Sequence, residues 1–251
     1  MICVIIQARM GSTRLPGKMM MPIGKYTLLS LVIERVKQAA LVDKVILAST
    51  GTAKDVPLLK EAEKRGSISF AGSENDVLDR YYQCAVLHQA SIIIRVTGDC
   101  PLIDPRIIDQ IISLFKTGNV AYASNFHPPT YPNGFDVEIF SFAALEKAWN
   151  EAMLLSEREH VTPYLWKNPH LFSQTNLAYR RDVSKIRLTV DEQADLQAVN
   201  AVARYIDPLT ASMEDILAVV ESHPEICAYN KHITRNQGYE KSIKNDALMK
   251  R

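Results

Sequence analysis

Continuous runs of β-branched residues alternate, along the first half of the chain, with stretches in which apolar positions recur at helical spacing. The run Ile2 to Ile6 is apolar throughout, which is typical of a strand buried on both faces of a sheet. Apolar residues from Leu28 to Ala39 then share one helical face, so a helix is predicted over 27–40. Further strands are predicted over 44–48, 68–70, 91–96 and 120–123, and further helices over 54–65, 73–88 and 105–117.

This alternation predicts an α/β fold with a mostly parallel central sheet and helices on both faces. The second half of the chain is less regular and predicts a smaller, mixed part. Its predicted strands are 136–140, 171–178 and 186–190, and its predicted helices are 141–153, 156–167, 192–205 and 212–222. We interpret 1–251 as a single domain with two halves, 1–125 and 126–222, and we expect the polar end of the chain, 239–251, to be disordered.

The composition and charge of the chain limit the kinds of molecule that it is expected to bind. Lys and Arg number 29 against 28 Asp and Glu, so no global charge draws the protein to nucleic acid or to an anionic membrane. No apolar run approaches the roughly 20 residues of a membrane helix, and no signal peptide is evident. The four cysteines form no C-x-x-C pair. We therefore expect a cytoplasmic protein with no nucleic-acid partner and no membrane insertion.

The loop that follows the first strand carries the clearest candidate chemistry. Residues 7–18 contain three cations, with glycines and a serine between them. Ligands bind at the carboxyl ends of strands in α/β sheets, and glycines let a ligand approach the backbone closely. Three cations at that place match a triphosphate, whereas a solvated turn with incidental charge is the alternative interpretation. The candidate nucleotide-binding residues are Gln7, Ala8, Arg9, Gly11 and Ser12, and the candidate catalytic residues are Arg14 and Lys18.

The loop matches neither of two common nucleotide-binding motifs. Lys18 is followed by Met19, so the G-x-x-x-x-G-K-[ST] pattern is absent. The G-x-G-x-x-G pattern of a dinucleotide site is absent as well, which disfavours that class of cofactor.

Two aspartates stand directly after strand-like runs. Asp99, in the segment Thr97 to Pro101, follows the strand over 91–96, and Thr97 is a further nucleotide-binding candidate. A carboxylate there can hold Mg²⁺ beside phosphate oxygens, which makes Asp99 the third catalytic candidate, although an aspartate that caps the next turn is the alternative. Asp191 ends the run that begins at Leu188, but it is equally well placed as the N-cap of the next helix. The residue pattern alone leaves both roles of Asp191 open.

Two polar segments are weaker candidates. In 72–81, the side chains of Ser73, Asp76 and Arg80 are candidates to contact a base or ribose, although helix capping by Ser73 explains part of this pattern. In 156–164, four consecutive polar residues, Glu157 to His160, point in different directions on a helix, so spacing alone does not make them one site. No histidine pair has the spacing of zinc ligands.

Six motifs, in the family's own order, resemble the spore-coat polysaccharide biosynthesis protein F family. They are IIQARMGSTRLPGKMMMPIG, GSENDVLDRY, RVTGDCPLID, YPNGFDVEIF, EREHVTPYLW and RLTVDEQADL. That family is similar to the acylneuraminate and 3-deoxy-manno-octulosonate cytidylyltransferases. The resemblance implies a GT-A-like nucleotidyltransferase fold. It also implies transfer of CMP from CTP to a nonulosonic or octulosonic sugar acid, for surface polysaccharide or glycan biosynthesis, by an enzyme that is commonly a homodimer.

The resemblance also implies residue roles. Arg9, Arg14 and Lys18 would hold the triphosphate, and Asp99 and Asp191 would hold Mg²⁺. Glu192 stands where the family pattern V-D-T-x-x-D-L has threonine. Acceptor-site candidates from the second half are Asn125, Asp136, Glu138, Arg158 and His160, and Arg158 is the cation expected to bind the acceptor carboxylate. The apolar segment 135–149 is a candidate dimer interface, with plain core as the alternative.

Two other functions stay open. A glycosyltransferase of similar fold would use a ready-made nucleotide sugar, but its usual D-x-D motif is absent because Cys100 and Pro101 follow Asp99. A non-catalytic nucleotide-binding partner is the second alternative, and the presence of all three cations and both aspartates counts against it. The residues leave the acceptor sugar, and the choice between CTP and UTP, undetermined.

Overall fold

The computed structural model describes residues 1–249. Its strands are β1 Ile2–Gln7, β2 Pro22–Ile23, β3 Tyr26–Thr27, β4 Lys44–Thr50, β5 Ile68–Gly72, β6 Ile92–Thr97, β7 Tyr122–Ser124, β8 Glu138–Ser141 and β9 Gln174–Asn176. Its α-helices are α1 Leu28–Val36, α2 Val56–Lys64, α3 Val77–Leu87, α4 Pro105–Gly118, α5 Phe142–Glu151, α6 Leu155–His160, α7 Pro163–Trp166, α8 Gln193–Val202, α9 Met213–Ser222, α10 Glu225–Ala228 and α11 Gln237–Lys244.

Seven strands form one sheet in the order β5-β4-β1-β6-β8-β7-β9. Strand β1 pairs in parallel with β4 and β6, and β4 pairs in parallel with β5. The antiparallel strand β8 joins β6 to β7, and β7 pairs in parallel with β9. This arrangement confirms the predicted α/β fold with a mostly parallel sheet and a mixed second half.

The central strand buries both of its faces, as its continuous apolar run predicts. Val4 and Ile6 belong to a core that includes α1 and α4, while Cys3 and Ile5 belong to a second core with α3 and α5. Successive side chains of a strand point to opposite faces. The helices therefore cover both faces of the sheet, as predicted.

Three predicted elements differ in the structure. The helix predicted over 73–88 begins at Val77, because Asp76 and not Ser73 is its N-cap. The helix predicted over 156–167 is broken into α6 and α7 at Val161, whose φ is 72°. The strand predicted over 186–190 is an extended segment that forms an isolated bridge to Asn133, because its hydrogen-bond partners lie in loops.

The end of the chain also differs from the expected disorder. Helix α11 covers part of 239–251, and Ser242 donates a hydrogen bond to Glu159 at 2.8 Å. Beyond the helix, the Ser156 hydroxyl donates to Asp246 at 2.7 Å. Polar contacts to α6 thus attach this segment, and residues 250 and 251 lie outside the described range.

The segment 135–149, a candidate dimer interface, packs largely against the rest of the same chain. Phe135, Ile139, Phe140 and Leu145 have no exposed surface. The alternative interpretation, plain core, accounts for these side chains. Among residues 1–249, none of the helices combines the length and apolar character needed to cross a membrane.

Candidate active site

A cavity of about 390 Å³ opens at the carboxyl edge of the sheet. Thr97, the last residue of β6, and Glu138, the first residue of β8, lie in its wall. Arg14, from the loop after β1, and Asp99, from the loop after β6, line it as well. Ligands bind at this edge of α/β sheets, so the cavity is the candidate site.

The Lys18 ammonium lies between the two aspartates that the sequence singled out. Its Nζ donates to Asp191 Oδ1 at 3.0 Å and to Asp99 Oδ2 at 3.4 Å. A third hydrogen bond goes to the carbonyl oxygen of Val190 at 2.7 Å. Lys18 is only 8% exposed. The buried ammonium and the two half-buried carboxylates therefore form a charge cluster, and its carboxylates line the cavity.

This cluster favours the charged forms of Lys18 and Asp191. Burial opposes the charge on Lys18, but Asp99 and Asp191 outweigh it and raise the pKa of Lys18 above its ordinary value. Burial also opposes the charge on Asp191, but Lys18 and Arg14 outweigh it, so the pKa of Asp191 is lowered. Arg14 Nη2 lies 2.9 Å from Asp191 Oδ1. Opposite charges thus stabilise one another here.

Backbone hydrogen bonds hold Asp191 beside Asp99. The amide of Val190 donates to the carbonyl oxygen of Asp99 at 2.8 Å. On the other side, the amide of Leu188 donates to the carbonyl oxygen of Asn133 at 2.7 Å. The segment that ends at Asp191 is therefore clamped between two loops that are distant in sequence.

Gly134 allows the loop that contains Asn133 to approach the segment that ends at Asp191. Its φ is +111°, and a Cβ at this position would lie 2.7 Å from backbone atoms of Leu188 and Thr189. Glycine is the residue that adopts this backbone conformation and leaves this space free. The asparagine-glycine pair in the motif YPNGFDVEIF is thus explained by packing against the Asp191 segment.

Arg187 and Asp195 complete the support of Asp191, and the sequence had not suggested either. Arg187 donates to both oxygens of Asp195 at 2.8 and 3.0 Å and to Asp191 Oδ2 at 3.0 Å. Asp195 accepts from the amides of Asp191 and Glu192, each at 3.0 Å. Glu192 is the N-cap of α8, so Asp191 is not the helix cap. A cation within the apolar run IRLTV was the available signal.

The loop after β1 is anchored at two points. Gln7 Oε1 accepts from Arg95 Nε at 3.1 Å, and the amide of Met10 donates to the buried carboxylate of Asp55 at 2.7 Å. In the described part of the chain, Arg14 is the one residue of this loop that lines the cavity. Ala8 is buried, Ser12 is half-buried, and Arg9 and Gly11 are exposed.

Asp99 and Asp191 fit a Mg²⁺ site by their chemistry. Both carboxylates contact one cation, the Lys18 ammonium, so both lie within reach of a single small ion. Mg²⁺ is commonly held by one or two carboxylates together with phosphate and water oxygens. Within residues 1–249, no group of three or more His, Cys, Asp or Glu side chains is placed to hold a metal ion. The remaining ligands of a Mg²⁺ ion here would therefore be substrate and water oxygens.

Comparison with known proteins decides the family. The profile described as cytidylyltransferase matches residues 3–240. The chain belongs to the cytidylyltransferase family. It is 33% identical over 213 residues to the spore coat polysaccharide biosynthesis protein SpsF of Bacillus subtilis, across 80% of this chain and 85% of SpsF.

Two further relatives support this assignment. The 8-amino-3,8-dideoxy-manno-octulosonate cytidylyltransferase of Shewanella frigidimarina is 28% identical, across 73% of this chain and 69% of its own. The solved structure of a cytidylyltransferase from Leptospira borgpetersenii superposes with a TM-score of 0.87 at 37% identity, across 90% of this chain and 96% of its own. The nucleotidyltransferase fold expected from the motifs is thereby confirmed.

In this cytidylyltransferase, the three residues predicted to contact the base or the ribose form hydrogen bonds with one another. The amide of Asp76 donates to the Ser73 hydroxyl at 3.1 Å, and Asp76 accepts from the amide of Asp79 at 2.9 Å as the cap of α3. Arg80, only 2% exposed, donates from Nε to the carbonyl oxygen of Ser73 at 2.8 Å. These bonds hold the three side chains within their own loop, and none of the three residues lines the cavity.

Arg158 is also turned away from the cavity. It is 5% exposed, and its Nη2 lies 2.5 Å from Asp76 Oδ2. Its Nη1 donates to the carbonyl oxygen of Trp149 at 2.6 Å. The structure therefore places Arg158 outside the cavity lining, with its guanidinium paired within the fold, which does not favour the predicted contact with the acceptor carboxylate.

Asn125 is the other acceptor candidate that the structure places outside the cavity. Its side chain is fully buried. It donates to the carbonyl oxygen of Phe135 at 2.7 Å and accepts from the amide of Val137 at 2.8 Å. Asn125 thus joins the end of β7 to the segment before β8, and its side-chain bonds explain a structural role.

The three other acceptor candidates, Asp136, Glu138 and His160, do line the cavity. Glu138 accepts from Arg95 at 2.6 Å and from the Tyr122 hydroxyl at 2.7 Å. Asp136 pairs with Arg235 and accepts from Asn133 at 3.1 Å, and the Nε2 of His160 lies 2.9 Å from the Ser242 hydroxyl. The sequence had suggested neither Arg95 nor Arg235, although an arginine inside the apolar run SIIIRV was a signal for Arg95.

Proposed function

We propose that this cytidylyltransferase transfers CMP from CTP to a sugar acid and releases pyrophosphate. The observation that carries the proposal is that the Lys18 ammonium bonds both Asp99 and Asp191, two carboxylates that line the cavity. The family supports the transfer of a cytidylyl group, and the printed name of the Shewanella relative supports an octulosonate-type acceptor. The name of the Bacillus relative supports a role in polysaccharide biosynthesis.

The triphosphate would lie along the loop after β1. Arg14 has a side chain that is 38% exposed, and Arg9 is exposed on the same loop. Guanidinium groups bind phosphate oxygens through forked, charge-assisted hydrogen bonds. Arg14 can therefore exchange its contact with Asp191 for one with a phosphate. The buried Lys18 ammonium would neutralise part of the negative charge of the phosphates.

Asp99 and Asp191 would hold Mg²⁺, which, when bound, supplies positive charge at the phosphates and favours ionisation of a nearby hydroxyl. The acceptor hydroxyl oxygen would attack the α-phosphorus of CTP. The bond from that phosphorus to the oxygen bridging to the β-phosphate would break, and pyrophosphate would leave. Arg14 and Lys18 would stabilise the negative charge that develops on the departing group. The hydroxyl proton would pass to solvent.

The acceptor would occupy the part of the cavity beside β8. Because Arg158 is paired with Asp76, a different cation must meet the acceptor carboxylate. We propose Arg95, which lines the cavity and bonds Gln7 through Nε and Glu138 through Nη1. Its Nη2 makes no hydrogen bond within residues 1–249. Arg95 would thus use that nitrogen for the carboxylate.

The test is thermal stabilisation by each of the four nucleoside triphosphates with Mg²⁺. A ligand at 100 times its Kd that binds only the folded state adds about 2.7 kcal/mol. We expect a Mg²⁺-dependent shift with CTP that Asp99→Asn abolishes and that Asp182→Asn, at an exposed position outside the cavity, leaves unchanged. Pyrophosphate release on addition of 3-deoxy-manno-octulosonate would identify the acceptor class. A shift with UTP alone, or with a nucleotide sugar alone, would overturn the proposal.

A further inference from the structure

The last part of the chain forms one wall of the cavity. Before it reaches the cavity, the Asn230 side chain donates to Asp195 Oδ1 at 2.9 Å. Beyond the cavity, the Ser242 hydroxyl donates to Glu159 at 2.8 Å. The residues between these two anchors that line the cavity are Thr234, Asn236, Gln237, Gly238 and Tyr239. We call these five residues the C-terminal wall, and it is fixed at both ends.

An ion pair also fixes this wall near its middle. Arg235 pairs with Asp136, whose carboxylate belongs to the cavity lining. Arg235 also donates from Nη1 to the carbonyl oxygen of Tyr131 at 3.3 Å, and Asn133 donates to the second oxygen of Asp136 at 3.1 Å. The pair therefore orients the wall, and the guanidinium neutralises a carboxylate that would otherwise repel an anionic acceptor.

The C-terminal wall differs in charge from the part of the cavity assigned to the triphosphate. None of its five residues is charged, whereas Arg14, Asp99 and Asp191 supply the charges that suit phosphates and Mg²⁺. Asn236 is exposed and Gln237 is half-buried, so a ligand in the cavity can reach both side chains. The wall is therefore open to an uncharged part of a substrate.

The amide side chains of the wall suit hydroxyl groups. An amide both donates and accepts hydrogen bonds, and so does a hydroxyl. A sugar acid carries several hydroxyls besides its carboxylate, and Arg95, the cation proposed for that carboxylate, lines the same cavity. The cavity of about 390 Å³ has the size of an ordinary ligand site. An acceptor that attacks the α-phosphorus beside Asp99 would thus lie near the wall.

We propose that Asn236 and Gln237 bind hydroxyl groups of the sugar-acid acceptor, and that the Asp136–Arg235 pair positions them. This inference rests on the proposed function, because it requires a hydroxylated acceptor in the cavity. It gives Asp136 an indirect part in acceptor binding, as a positioning residue that acts through Arg235.

The test measures KM for the acceptor and KM for CTP separately, from pyrophosphate release by the full chain with 3-deoxy-manno-octulosonate or N-acetylneuraminate. Asn236→Gly removes the amide at a φ of 64°, which glycine adopts without strain, and Gln237→Ala keeps a good helix former. We expect each variant to raise KM for the acceptor about fivefold, the effect of one hydrogen bond, with KM for CTP unchanged. The matched controls are Asn245→Gly and Lys244→Ala, at exposed positions at the other end of α11.

A double-variant cycle tests the positioning role of Asp136. We expect Asp136→Asn and Arg235→Met each to raise KM for the acceptor about tenfold. The two substitutions together should raise it no further than either alone, because the side chains act as one pair. Additive effects, about 100-fold in the double variant, would overturn the positioning role and assign Asp136 to direct contact with the acceptor.

The thermal shift by CTP with Mg²⁺ separates this inference from the proposed function. A wild type that shows the shift but turns over neither sugar acid overturns the acceptor wall. An unchanged KM for the acceptor in either Asn236→Gly or Gln237→Ala overturns it as well, and so does an equal rise in KM for CTP. A wild type that shows no CTP shift instead refutes the proposed function itself.

Discussion

Arg158 donates to both carboxylate oxygens of Asp76, and both side chains are buried where α6 meets the start of α3. Arg158 had been a candidate for the acceptor carboxylate and Asp76 a candidate for the nucleotide. Because the two side chains carry opposite charges, they form a buried ion pair that stabilises the fold. The pair therefore predicts a loss of stability on substitution, with the charges of the cavity left in place.

We expect Arg158→Met to lower the free energy of unfolding by about 3–5 kcal/mol, because it leaves the Asp76 carboxylate buried without its partner. Urea denaturation measures this change. Arg181→Met is the control, since the ion pair of Arg181 with Glu221 is about half exposed and its removal should leave the midpoint unchanged. A stable Arg158→Met protein that fails to use its acceptor would instead restore the direct role that the sequence suggested.

Replacement of Lys18 should lower the catalytic efficiency of the enzyme. Lys18→Met removes the one ammonium that bonds both Asp99 and Asp191, and we expect kcat/KM for CTP to fall by about 10²–10³. Lys18→Arg should not rescue it, because a larger planar group does not fit a site that is 8% exposed. Lys25→Met, at a side chain that is 71% exposed, is the control. The assay is pyrophosphate release, and activity close to wild type in Lys18→Met would contradict the proposed site.

Gly134 should be sensitive to the smallest substitution. Gly134→Ala places a Cβ 2.7 Å from the backbone of Leu188 and Thr189, at a φ of +111°. We expect a loss of about 3 kcal/mol of unfolding free energy, since both strain and a backbone clash arise. Gly11→Ala meets nothing within 4 Å and should change stability by less than about 0.5 kcal/mol. Chemical denaturation measures the unfolding free energy of each variant. Equal values for the two would contradict the prediction and show that the Asp191 segment can move away from the added Cβ.

His160 should make stability depend on pH in the acid range. Burial lowers the pKa of His160 to about 4, whereas the unfolded chain binds the same proton near pH 6.5, about its ordinary pKa. The unfolded state is therefore favoured by protonation, so the stability is complete above about pH 6.5 and declines as the pH falls toward about 4. The melting temperature of His160→Asn should fall less over this range than that of wild type. Parallel curves for the two proteins would contradict the pKa shift, and His232→Asn, at an exposed position, is the control.

Much of the first half of the fold could be predicted because its signals are local. A continuous apolar run such as Ile2 to Ile6 predicts a buried strand, and the loop that follows such a strand must lie at the carboxyl edge of a parallel sheet. That reasoning found Lys18 and Asp99, and it found Asp191 at the end of a strand-like run, where the family motif favoured a metal-binding role over a helix cap. All three meet in the structure. Backbone periodicity and sheet geometry were enough to locate the charge cluster.

The other candidates depended on partners that local patterns do not reveal. Asp76 and Arg158 are 82 positions apart, and nothing in either motif indicates that the two side chains pair. Arg95 and Arg187 interrupt apolar runs, which marks a buried charge but not its partner. The gain from a buried ion pair depends on the distance and solvent exposure of both groups, and only the packed chain sets these.

The sequence by itself thus determined the α/β class, the strand and helix rhythm of the first half, and the position of the cationic loop after β1, because each follows from short-range periodicity and from the direction of parallel strands. Only the tertiary structure decided which charges face the cavity. It turned Arg158 and Asn125 inward, and it brought Tyr239 of α11 to Trp166 and His127. The physical reason is that a polar side chain bonds to the nearest available partner, and which partner is nearest is a property of the folded chain.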